Sequence, residues 1–218
     1  MRSILQHAWA EIEHDLGYKS EQAIPKNYRR SFARLAGLLE LADEEFNRIR
    51  AGLTHYEAQV VQDINTAPSD VELNKISLNS YVLSSEVVNK IDLAILEWTG
   101  GHLGEPSDNF KEHRLNQLLY FNMETIAEVD NYLKIHQDTI ISFAVNWMKR
   151  NSHHGDRIAR GISIFYLGYV LITKRSNLEQ IVDYLNRNNI GGPDDDSTTD
   201  RAMKLLLTAK QVGVIATE

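Results

Sequence analysis

The stretch KNYRRSFARLAGLLELADEEFNRIRAGLTHYEAQV, residues 26–60, decides the fold. Its apolar residues Tyr28, Phe32, Leu35, Leu39, Ala42, Phe46, Ile49, Leu53, Tyr56 and Val60 follow one another at alternating steps of four and three. That is a period of about 3.5 residues, the seam of an α-helix lying along a near-parallel or antiparallel partner. Pro25, just ahead of it, suits a first helical turn. At 1.5 Å per residue the pattern predicts a rod of roughly 50 Å, longer than a small domain needs. Such a rod either packs against later helices of the same chain or pairs with another subunit. We expect a homo-oligomer formed through it.

Towards the N-terminus, Ile4, Leu5, Ala8, Trp9, Ile12 and Leu16 recur at helical spacing, and Gly17 ends that helix. Towards the C-terminus, Asn65–Asp70 (NTAPSD) gathers turn-forming residues and reads as a linker. The boundary is placed there, dividing the chain into 1–64 and a helical extension 71–218. Four prolines and twelve glycines in 218 residues leave long uninterrupted stretches, which favours helix. Helices are expected over about 77–98, 111–149 with a break near His136, 157–173, 177–188 and 198–212. Ser176 with Glu179, and Ser197 with Asp200, supply start signals. Residues 98–109 and 190–197 read as loops, and Ile162–Ile172 is the run hardest to divide between strand and helix. The expected fold class is therefore mainly α, a long helix joined to a C-terminal helical bundle.

Composition narrows the function. Thirty acids against 23 Lys and Arg give a formal charge of -7, so binding of nucleic acid by bulk charge would work against repulsion. With no cysteine, thiol catalysis, disulfides and cysteine zinc sites are excluded, and a reducing cytoplasm is compatible. No apolar run approaches the roughly 20 residues of a membrane span, so a soluble cytoplasmic protein without membrane contact is expected.

Few residues suggest chemistry by themselves. His7, Glu11, His14 and Tyr18 form a polar stripe on the first helix, which could share a divalent metal or simply face solvent; the metalloprotease spacing His-Glu-x-x-His is absent. Lys26, Arg29, Arg30 and Arg34 open the rod with four cations that could receive phosphates or pair with Glu40, Asp43, Glu44 and Glu45. His153 and His154 sit in a loop, and Trp9, Trp98 and Trp147 fall within apolar helical patterns that mark core or interface. No Gly-rich phosphate loop and no serine-triad signature occurs.

Residues 2–50 add a resemblance. RSILQHAWAEIEHDLGYKS, followed by IPKNYRRSFARLAGLLELADEEFNRIR, resembles the end of the synthetase domain of the RelA/SpoT family. In that family a strand ending Glu-x-Gln-Ile-Arg-Thr or Ser leads into a helix with Asn or His, an aromatic residue plus Ala, Glu-His and then Tyr-Lys, before Ile-Pro and a long charged helix. Arg2, Ser3, His7, Trp9, Ala10, Glu13, His14, Tyr18, Lys19, Ile24 and Pro25 match in order without a gap, with Met1 where the strand's Ile would stand. Residues 54–218 resemble the helical extension of longer members much more loosely.

The resemblance implies transfer of pyrophosphate from ATP to the 3'-hydroxyl of GTP or GDP, making (p)ppGpp with Mg2+. It implies that His7 contacts the acceptor guanine nucleotide and that Arg2 ends the strand lining the pocket. Glu13, His14, Tyr18 and Lys19 would fix the helix, a phosphate contact remaining open to Lys19. The family's Glu and Gln would stand before Met1, and its metal-binding Asp, ATP-binding cations and guanine-stacking Tyr belong to the sheet upstream. With no catalytic residue and no metal ligand in this chain, no transfer by the chain alone is expected. The chain would then be the C-terminal portion of an alarmone synthetase, supplying one wall of the acceptor pocket and an oligomerisation or regulatory region, with the mixed sheet largely absent. Two other readings are a non-catalytic helical interaction module and a toxin-like member that transfers pyrophosphate to another acceptor such as a tRNA end.

Overall fold

A computed structural model describes residues 7, 10, 11, 14, 25–150, 157–191 and 197–216. The fold is mainly helical, as the sequence predicts, with a single pair of short strands among the described residues. The helices are α1 (Lys26–Thr66), α2 (Lys75–Ser84), α3 (Glu86–Thr99), α4 (Asp108–Tyr120), α5 (Ile126–Arg150), α6 (Ile162–Lys174), α7 (Leu178–Arg187) and α8 (Thr198–Gln211). The strands β1 (His102–Gly104) and β2 (Arg157–Ala159) pair in parallel, Leu103 opposite Ile158. No described helix is long and apolar enough to cross a membrane.

The chain forms two compact units, residues 1–58 and 59–218. In the first, α1 begins directly after Pro25, whose carbonyl accepts from the Tyr28 and Arg29 N–H groups. Along α1 the side chains of Phe32, Ala36, Leu39 and Ala42 are half-buried, whereas Tyr28, Leu35, Leu38, Phe46, Ile49 and Leu53 are exposed. In the second unit the last turns of α1 bury Val60 and Ile64. Residues 65–70, expected as the linker, complete α1 and form a 3-10 turn, Pro68–Asp70, that packs on α5.

The centre of the second unit is α6, ISIFYLGYVLITK, which contacts α3, α4, α5, α7 and α8. It is apolar all round because neighbours cover every face, which explains why its periodicity could not separate helix from strand. Gly168 lets the helix backbone meet Tyr184 of α7, since a Cβ there would overlap the Tyr184 hydroxyl.

Four helix boundaries differ from the sequence expectation. The run 157–173 opens as the strand β2 (Arg157–Ala159), and its helix starts only at Ile162. The run 77–98 is two helices, because Ser85 leaves helical geometry (φ -74, ψ 123) and its hydroxyl accepts from the Val88 N–H at 3.3 Å, closing one helix and starting the next. The run 111–149 breaks at 121–125 and passes straight through His136. Asn122 takes a left-handed conformation (φ 57), and the Glu128 carboxylate accepts from the Glu124 and Thr125 N–H groups at 2.7 and 2.9 Å, a capping arrangement that starts α5. Helix α7 starts on Asn177, which accepts from the Gln180 N–H at 3.0 Å, because Ser176 is itself left-handed (φ 51). Ser197 caps α8 as expected, accepting from the Asp200 N–H at 3.2 Å.

Candidate functional site

Of the sequence-derived nucleotide contacts, Arg2 and Lys19 lie outside the described residues, together with Trp9, Glu13, Tyr18 and the His153–His154 loop. His7 is described: it stands in a helical turn with its side chain exposed, as do Glu11 and His14. The spacing of four and three places the three on one side of the turn. They do not form a cluster able to hold a metal ion, and no other three His, Asp or Glu among the described residues do so. The cations Lys26, Arg29, Arg30 and Arg34 are exposed on the first turns of α1. Arg34 turns back on its own helix, its Nε donating to the Arg30 carbonyl at 3.4 Å.

The second unit contains a polar cluster that the sequence reading missed. Asp92 of α3 is fully buried, and its carboxylate accepts from the backbone N–H groups of Gly161 and Ser163, the latter at 2.9 Å. The acid thus caps the N-terminus of α6 from a neighbouring helix, where free N–H groups and the helix dipole favour a negative charge. Burial raises its pKa, and the two N–H donors and the Arg114 charge oppose that rise. Arg114 of α4 is 1% exposed; its Nη1 donates to the Arg160 carbonyl at 2.9 Å and its guanidinium lies 5.0 Å above the Phe110 ring. Burial pushes Arg114 down to about 10, and Asp92 pulls it back up. At neutral pH it remains a cation. The cluster holds α3, α4 and the β2–α6 turn together. Its signal in the sequence is a single acid inside the apolar run IDLAIL.

Beside it opens a cavity of about 280 Å³. Its walls include Phe110, Trp147, Phe165 and Tyr169, with Arg157 and Arg201 at its polar side. Phe165 and Tyr169 lie 4.7 Å apart by ring centroid, and the Arg201 guanidinium sits 6.0 Å from the Trp147 ring. Arg157 donates to the Glu105 carbonyl at 2.9 Å, tying the cation to the loop after β1. Tyr166, also lining the cavity, has its pKa raised by burial and by Tyr169 next to it, so its phenol stays protonated at neutral pH. Flat aromatic walls with two guanidiniums accommodate a planar group bearing negative charge.

Trp147 is 5% exposed, a core residue as the sequence predicts. Trp98 is half-buried with the Lys149 ammonium 5.7 Å from its ring. Comparison with protein-family models, with curated proteins and with solved structures returns no significant match to any of them.

Proposed function

We propose that this chain is the C-terminal portion of a RelA/SpoT-like alarmone synthetase. In this reading the helix carrying His7 forms one wall of the pocket for GTP or GDP, and the remainder is an oligomerisation or regulatory region. The observation that carries the reading is the unbroken order of matched residues from Arg2 to Pro25. It is supported by the exposure of His7 on a helical turn, since a pocket wall must present its contact residue outward. The family's reaction moves pyrophosphate from ATP to the ribose 3'-hydroxyl with Mg2+, which requires a carboxylate-held metal and cations on the moving phosphates. The chain's own contribution is recognition: His7 at the acceptor, Arg2 at the pocket edge and Lys19 towards phosphate. Catalysis by the chain alone is not part of the proposal.

The test is calorimetric titration with GDP, GTP and ADP, on the native chain and on His7→Ala. The proposal expects guanine nucleotides to bind more tightly than ADP, and His7→Ala to weaken GDP by about tenfold, the size of one lost hydrogen bond to a charged or polar partner. Equal binding of GDP and ADP, or a His7→Ala chain that binds GDP unchanged, overturns it. So does formation of tetra- or pentaphosphate product by the chain alone at an ordinary enzymatic rate.

The exposed apolar residues of α1 favour a second reading, a helical module whose function is association. It is compatible with the first and is separated from it by the nucleotide titration.

A further inference from the structure

The cavity beside the Asp92–Arg114 cluster has no part in the nucleotide reading, and its lining is chemically one-sided. Helices α3, α4, α5, α6 and α8 and the strand β2, all of the second unit, contribute to its wall. The chain carries 30 acids against 23 Lys and Arg, yet the charged side chains that line this cavity among the described residues are both cations, Arg157 and Arg201. We propose that the cavity binds a small aromatic carboxylate of one or two fused rings, the rings against the aromatic wall and the carboxylate at the guanidiniums. At about 280 Å³ the cavity stands at the lower edge of the roughly 300–1,000 Å³ of ligand pockets, which suits a compact ring system and not a nucleotide.

The wall favours an aryl guest over an alkyl one. Phe110, Phe165, Tyr169 and Trp147 form a continuous chain of rings, with successive centroids 6.2, 4.7 and 5.5 Å apart and planes inclined at 30°, 56° and 68°. Rings inclined in this way present both electron-rich faces and electron-poor edges. An aryl guest meets them in the offset or edge-to-face arrangements that aromatic pairs prefer. An alkyl chain gains the burial of its surface alone.

The cation at the cavity is held in place. The Arg157 guanidinium lies over Gly104 of β1, where any Cβ would overlap its Nε, and its Nη2 donates to the Glu105 carbonyl at 2.9 Å. That bond uses one of the five N–H donors of the group, and a guanidinium already fixed loses less side-chain freedom when it receives a carboxylate. Arg201, its guanidinium 6.0 Å from the Trp147 ring, sets a second cation beside the same wall.

Calorimetric titration of the full chain with naphthoate, naphthamide and octanoate tests the ligand class, because naphthamide keeps the rings without the charge and octanoate the charge without the rings. Naphthoate is expected to bind about tenfold more tightly than naphthamide, as a charge-assisted hydrogen bond predicts. It should also bind several-fold more tightly than octanoate. Naphthamide binding as well as naphthoate overturns the role of the cations, octanoate binding as well overturns that of the rings, and either result sinks the proposal.

Two measurements locate the site. Arg157→Gln, checked by circular dichroism for its native helix content, is expected to weaken naphthoate about tenfold and leave naphthamide unchanged, a split that general loosening of the fold does not produce. The Trp147 indole N–H resonance, assigned with Trp147→Phe, should move when naphthoate is added and stay in place with GDP. Naphthoate that leaves this resonance unmoved, or that binds Arg157→Gln as it binds the native chain, occupies another place and overturns the assignment. Failure of GDP to bind while naphthoate binds sinks the nucleotide reading alone, and the reverse sinks this one alone.

Discussion

Replacing Gly161 by alanine tests how tightly the second unit is organised around the Asp92–Arg114 cluster. Gly161 adopts φ +80, and a Cβ built there would overlap Nη1 of Arg114 and approach Cγ1 of Val82 to 3.0 Å. Holding a residue with a Cβ in the left-handed region costs about 1–2 kcal/mol. Arg114 cannot move aside freely, because it is buried, stacked on Phe110 and bonded to the Arg160 carbonyl. Forcing an extra methyl into such packing costs about 1–3 kcal/mol. The expected loss is thus about 2–5 kcal/mol, a large share of the 5–15 kcal/mol typical of a domain. Urea unfolding followed by tryptophan fluorescence reads it, with buried Trp147 as reporter. With a slope of about 1–3 kcal/mol per molar, the midpoint should fall by about 0.7 M or more. A midpoint within about 0.3 M of the native chain would refute the reasoning.

Gly37 gives the opposite sign: it lies inside α1 with nothing within 4 Å of where an alanine methyl would stand, so Gly37→Ala should raise helix stability by about 0.5–1 kcal/mol, read by thermal circular dichroism. Ser85→Ala removes the acceptor for the Val88 N–H and should cost about 1 kcal/mol in the same urea assay, with no change of fold. His136, whose ring nitrogens lie 3.2 and 3.4 Å from Lys174 Nζ, has its pKa lowered, first by burial and then by that ammonium. The unfolded chain therefore takes up the proton first, and stability should fall as pH drops below 6.5, levelling once the folded imidazole also protonates. His136→Gln should flatten the stability curve between about pH 7 and pH 5; an unchanged slope counts against the assignment.

The long helix and most of the bundle were legible because their apolar residues face one way at helical spacing. Helix α6 was not, since its neighbours cover all of it and leave no polar face to set a period. The breaks at Ser85 and at 121–125 were written as capping residues, Ser85 before Glu86 and Thr125 three residues before Glu128, but each lay inside a longer apolar pattern that masked it. Asp92 and Arg114 escaped notice for another reason: their partnership joins α3, α4 and the turn before α6, a long-range meeting that no local spacing announces. His7, Glu11 and His14 could be placed on one helical side from spacing alone, and the structure describes them there.

The central claim is that the helix bearing His7 faces a guanine nucleotide. Imidazole NMR of the uniformly labelled chain, titrated with GDP and separately with ADP, tests it most directly. The account predicts that the His7 resonances move with GDP at concentrations where ADP leaves them in place, while those of His136, in the second unit, stay unchanged under both. Identical His7 shifts with the two nucleotides, or none with GDP, would contradict it.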